Sequence, residues 1–160
     1  MKFFIEITAL STLRLAQVAL LGILAVVMGE VVSRYIFNSP TQTSLEITEY
    51  LIVTIGFLPL AFIYKTKGHV SVELVLDLLP TSFRKKLVVV SHLIVAGFSF
   101  IVCGFGADIT FHAYGSGIAS SSLMAFPMWI AYLPIPLGFL ALGMQAVVSL
   151  IQSAAEEVTN

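Results

Sequence analysis

The apolar and polar positions divide the chain into four long apolar stretches separated by three polar breaks. The stretches cover about 14–37, 45–64, 87–110 and 127–152, and each is near the roughly 20 residues that an α-helix needs to cross a bilayer. The first break, NSPTQTS at 38–44, is rich in Asn, Ser and Pro, which favour a turn. The second apolar stretch ends at Lys65 and Lys67, with Gly68 available to stop the helix. The third break, FHAYGSGIASSSLMAF at 111–126, reads as a loop or broken segment at a membrane surface. No Asp, Glu, Lys or Arg lies between Asp108 and Glu156, so nothing opposes insertion of the fourth stretch. Pro134 and Pro136 bend or break the start of that helix, as a static kink or as a hinge. Gly97, Gly104 and Gly106, with Ser99, are expected to let the third helix pack closely. The pattern predicts an all-α integral membrane protein with four transmembrane helices, built as a single membrane domain over residues 1–160.

The middle break, 65–86, differs from the other two. Val72, Val75, Leu76, Leu79 and Phe83 recur at three- and four-residue spacing, and Glu73 and Asp77 are four apart on another face. That pattern predicts an amphipathic cytoplasmic interfacial helix over about 69–83, ended or bent by Pro80. Its apolar face has two possible occupants, membrane lipid and another subunit.

Composition supports the membrane class. Hydrophobic residues make up 58% of the chain and charged residues 11%, and the mean hydropathy is +1.00, values that do not describe a soluble domain. A net charge of -1 without a basic run gives no footprint for nucleic acid. The single cysteine, Cys103, lies within an apolar stretch and forms no internal disulfide. The amino terminus has a basic start and an apolar run, but Glu6 and Arg14 interrupt it. It therefore reads as an uncleaved first span.

Charge also orients the spans. With four crossings, both termini and the 65–86 connection share one side, which carries Lys2, Arg14, Lys65, Lys67, Arg84, Lys85 and Lys86. Only Arg34 lies on the other. Seven cations against one predicts cytoplasmic termini, with Trp129 and Tyr132 near the outer interface.

The stretch TSLEITEYLIVTIGFLPLAFIYKTKGHVSVELVLDLLP, residues 43–80, resembles the small membrane subunit (Q or DctQ type) of TRAP, or tripartite ATP-independent periplasmic, transporters. Glu46 matches the acidic residue that opens the second span in that family. Lys65 and Lys67 followed by His69-Val70-Ser71-Val72-Glu73 match its basic and His–hydrophobic–acidic run. Leu78-Leu79-Pro80 and Arg84-Lys85-Lys86 fall where the family has a Leu-Pro and a basic patch. The chain departs from the pattern at Ser44 and Thr54, where Trp is frequent, at Pro59, where a small residue is usual, and at Glu49, where a base is common.

The resemblance implies an accessory subunit of a sodium-coupled transporter of the bacterial inner membrane for organic acids. Its partners would be a large elevator-type membrane subunit and a periplasmic substrate-binding protein. Sodium and substrate belong to the large subunit, so no cofactor is expected here. The small subunit scaffolds the large one and helps to dock the binding protein, with His69 fixing the junction between the second span and the arm.

Ionisable groups near the spans are the remaining candidates, because such groups are costly in a bilayer. Glu30 and Arg34 are four apart near the outer end of the first helix, and Glu46 and Glu49 open the second on the same side. This outer cluster suits pairing between helices, docking of a partner, or both. Asp108, with Thr110 and His112, suits a solvated helix end or subunit contact better than an ion site. For His92 a polar contact to another helix or subunit is expected. No Cys/His cluster has metal-ligand spacing, and no nucleophile-base constellation points to an enzyme. Two other classes fit the pattern less well. A haem-carrying respiratory anchor needs intramembrane axial histidines, and only His92 is placed for that. A small multidrug-type exporter needs a deep acid, and Glu30 lies too near the surface.

Overall fold

The computed structural model describes residues 2–39, 41, 43–67, 81–122 and 124–159, with the backbone alone described at 2–6, 67, 81–85 and 154–159. Its helices are α1 (Lys2–Tyr35), α2 (Thr43–Phe57), α3 (Leu60–Lys67), α4 (Thr81–Gly115), α5 (Met128–Tyr132) and α6 (Pro134–Thr159). Four helical stretches are long and apolar enough to cross a membrane: Ile7–Tyr35, Thr43–Thr66, Lys86–Gly115 and Met128–Ser153. Among the described residues the only β pairing is an isolated bridge between Ala119 and Pro127. The expected arm helix falls outside the described residues from His69 to Pro80. Of its apolar positions only Phe83 is reached, as backbone within α4.

The helices end where their sequences stop supporting them. The polar turn after α1 places Asn38 at φ 49°, a left-handed conformation that Asn tolerates at helix ends. α4 continues past the expected end near Thr110 because nothing there breaks it. It stops at Gly117, whose φ is +60°. The Gly117 N–H donates to the Tyr114 carbonyl and the Ile118 N–H to the Ala113 carbonyl, the Schellman arrangement that a left-handed glycine completes.

Proline sets two interior breaks. Pro59 cannot donate to the helical ladder, and the second span divides at Leu58-Pro59 into α2 and α3. Leu133, followed by Pro134 and Pro136, separates α5 from α6.

Packing is governed by small side chains. Buried positions include Ala9, Ala16, Ala19, Ala61, Ala96, Ala141 and Ala146, whereas Leu21, Phe105 and Phe111 are 65%, 69% and 75% exposed. Such inversion is expected where lipid is the solvent, since large apolar groups gain little by leaving it and small ones let helix backbones approach. The most extensive helix contact is between α4 and α6. α1 packs on α2, and α6 also meets α3, α2 and α1.

Gly138 on α6 lies directly against the break in the second span, where an added Cβ would come within 2.2 Å of the Phe57 carbonyl oxygen. Ala9, Ala61 and Ala141 join α1, α3 and α6. Of the three glycines expected to mediate packing of the third span, Gly106 does so against Ile135 and Pro136. Gly97 and Gly104 meet nothing within 4 Å among the described residues. Ser99 is fully buried and an added Cβ on Gly143 would touch it, so that contact is supplied by another residue of the same helix.

Candidate functional site

The outer ends of the spans hold two carboxylate-centred networks. The inward stripe of α1 runs through Ala9, Ala16 and Ala19. Continuing at helical spacing through positions 23 and 26, it reaches Glu30 near the outer end. Glu30 is thereby aimed at the α1–α2 turn. Its carboxylate accepts the Thr41 backbone N–H at 3.2 and 3.3 Å, the Thr41 hydroxyl and the Ser44 hydroxyl at 2.7 Å. Arg34 Nη2 donates to the same carboxylate at 3.3 Å, with the acid side chain 14% exposed and the Arg34 side chain 58% exposed. The positive amino-terminal end of α2 adds favourable electrostatics for this charge.

Glu46, in the first turn of α2, forms the second network. It accepts the Tyr50 hydroxyl at 2.7 Å and the Ser122 hydroxyl from the loop after α4. Ser120 Oγ donates to Ser122 Oγ at 3.1 Å. Tyr50 also stacks on Phe126 with ring centroids 4.7 Å apart. Glu30 therefore ties the first hairpin together, while Glu46 fastens α2 to a loop 76 residues later.

The expected outer cluster thus divides between these networks instead of forming one. Arg34 pairs with Glu30 and with no other acid among the described residues. Glu49 is exposed and makes no hydrogen bond or ion pair with a described residue. Pairing four residues apart brought Glu30 and Arg34 together on the sequence, but the part of Thr41 and Ser44 was missed. The available signal was the alanine stripe that aims Glu30 at a Ser/Thr-rich turn. For Glu46 and Ser122 no local signal exists, because their meeting depends on how the hairpins pack.

At the other end of the spans, His92 is 5% exposed and its Nδ1 lies 2.5 Å from the Tyr64 hydroxyl, with the rings edge-on at 74°. This polar contact joins α3 to α4. Lys65 follows Tyr64 on an exposed position. Lys67 is described by its backbone only, and His69 and Glu73 lie outside the described residues. Asp108 and His112 are exposed. Thr110 donates to the Gly106 carbonyl at 2.7 Å, and His112 Nδ1 lies 3.4 Å from the Ser116 hydroxyl. Among the described residues no group of three or more His, Cys, Asp or Glu is placed to hold a metal.

Four spans, polar networks engaged with their own loops, and packing through alanine and glycine define a multi-pass membrane protein. Residues 23–156 match the family described as "Tripartite ATP-independent periplasmic transporters, DctQ component". The match takes in most of the chain, and the protein belongs to the DctQ family, a transporter component and not an enzyme. The chain is also similar to the "Ectoine TRAP transporter small permease protein TeaB" of Halomonas elongata. The two are 26% identical over 126 residues, which is 79% of this chain and 65% of that protein. The chain thus covers less than two thirds of that relative's length. Membership in this family and the four apolar helices make it a multi-pass protein of the bacterial inner membrane.

Proposed function

We propose that this chain is the small permease subunit of a sodium-coupled TRAP transporter for organic acids. It scaffolds a large elevator-type membrane subunit and helps to dock the periplasmic substrate-binding protein. The observation that carries this reading is the family match across residues 23–156, which takes in part or all of all four spans. The internal engagement of Glu30 and Glu46 supports a rigid scaffold, because both carboxylates are satisfied by their own subunit. Of the exposed charges at the outer end, Arg34, Glu49 and Asp108, the first two are assigned in this proposal to the face that meets a binding protein. Substrate and sodium are assigned to the large subunit. Both termini and the 65–86 connection face the cytoplasm in this proposal, on the strength of the cation asymmetry.

The test is co-expression with a candidate large subunit, detergent pull-down and sodium-driven uptake in liposomes supplied with the binding protein. A stable complex whose uptake needs this chain is expected. Full uptake without it, or failure to form a complex, overturns the reading. Charge reversal at the outer face, R34E with E49K, is expected to lower uptake driven by the binding protein while complex yield is kept. Replacing Val75 and Leu79 with Asp removes two apolar side chains from the proposed arm, each worth about 1.5–3 kcal/mol if buried. The yield of complex should then fall, and an unchanged yield would remove the arm from the scaffold.

A further inference from the structure

Between α4 and the α5–α6 unit runs a groove of about 520 Å³. Cys103, Ala107 and Tyr114 line one wall, and Trp129, Leu137 and Leu140 line the other. The α4 wall runs from Cys103 to Tyr114, eleven helical steps or about 17 Å at 1.5 Å per residue, and the facing wall crosses the break at Leu133. That length is close to one leaflet of hydrocarbon, about 15 Å when the core is about 30 Å thick. At one end Trp129 and Tyr114 pack edge to face across the groove, with centroids 5.6 Å apart. Aromatic residues of this kind mark the level of the headgroups. The other end stops at Cys103 and Leu140, near the middle of their spans.

The lining offers no polar group to a ligand. Thr110 belongs to it, but its hydroxyl is engaged with the Gly106 carbonyl of its own helix. From Leu87 to the last residue the sequence contains no Lys or Arg, and Asp108 adjoins the lining residue Ala107. An anionic headgroup therefore has no Lys or Arg to meet at this end of the two helices, and one acid to avoid.

We infer that this groove is a binding site for one acyl chain of an outer-leaflet phospholipid with a zwitterionic headgroup. Its length is close to that of one leaflet, its wall is apolar, and one end lies at the aromatic level. The choice of the outer leaflet rests on the orientation proposed above, and the groove itself does not depend on the transport role. The bound chain completes the α4–α6 surface as a fixed lipid, set apart from the bulk lipid that wets α1.

Trp129 is the chain's single tryptophan, so it reports on the groove directly. The full chain is purified in detergent and titrated with zwitterionic phospholipid brominated along its acyl chains, while Trp129 fluorescence is followed. Saturable quenching at one lipid per chain is expected, together with weaker quenching by an anionic phospholipid of the same chains. A107F and L140F each fill the groove, and in either variant that keeps its helical circular dichroism the saturable component should be lost. Quenching that never saturates, that persists in the filled variants, or that favours the anionic lipid overturns the assignment. As a second arm, a phospholipid with a photoreactive acyl chain is incorporated into membranes of cells expressing the chain with its partners. Adducts concentrated on residues 103–111 and 133–140 are expected. Equal labelling of α1, or protection of the groove by a partner helix, counts against a lipid site.

Discussion

α1 and the α5–α6 unit contrast in a way a water-soluble protein would reverse. The Ile7–Tyr35 span has the higher mean hydropathy, 2.2 against 1.8 for Met128–Ser153, yet its most apolar window is 11% buried against 39%. The more hydrophobic helix is the less buried one. With lipid as the solvent, leucine-rich faces need no shelter, and burial goes to helices with small residues at close approaches. α6 brings Gly138 to the carbonyl of Phe57, Gly143 to Ser99 and Ala141 to Ala61. α1 turns Leu15, Val18, Leu21 and Leu24 outward and contributes alanines inward.

Substitutions that treat the two helices alike sharpen or break this contrast. The largest effect is expected for G138V, because its Cβ would fall within 2.2 Å of a backbone oxygen and neither helix can yield without moving. A loss of about 3 kcal/mol or more should appear in unfolding by a denaturing detergent. Overpacking a fully buried position of α6 comes next. A146L should cost about 1–3 kcal/mol in the same assay. For H92F, which removes the Tyr64 partner but keeps a ring, a loss of about 0.6 kcal/mol and no more than about 1.7 kcal/mol is expected, the mean and maximum for interhelical polar contacts in a membrane. The smallest effect is expected for L24A on the outward face of α1. It should change the stability of the isolated subunit by less than about 0.5 kcal/mol. A loss there as large as that of A146L would show that α1 is not lipid-facing and that the contrast is false. If the isolated subunit is unchanged while pull-down of the large subunit falls, that face of α1 belongs to the partner.

The two carboxylate networks repeat the contrast at the outer surface. Glu30 is held by residues no more than 14 positions away. Its placement follows from one helical stripe and one turn, and both are present in the local pattern of alanines, serines and threonines. Glu46 is held partly by Ser122. No spacing rule predicts that contact, which exists only because the loop after α4 folds back over α2. The same distinction separates Gly106 from Gly97 and Gly104. All three read alike on the sequence, and only the position of Ile135 and Pro136 makes one of them a contact among the described residues.

What the sequence by itself determined is whatever depends on periodicity and solvent. Four apolar lengths dictated four membrane-crossing helices, Pro134 and Pro136 dictated the break at the start of the fourth, and the 43–80 stretch pointed to the family that the match over residues 23–156 shows, whereas the break at Pro59 was not expected. What only the tertiary structure decided is partnership between segments far apart in the chain: Glu46 with Ser122, Tyr64 with His92, Gly138 with Phe57, and the groove between α4 and the α5–α6 unit. The physical reason is that insertion is decided helix by helix, from the transfer of each segment into lipid. Association is decided by close fit, and a fit belongs to two surfaces at once.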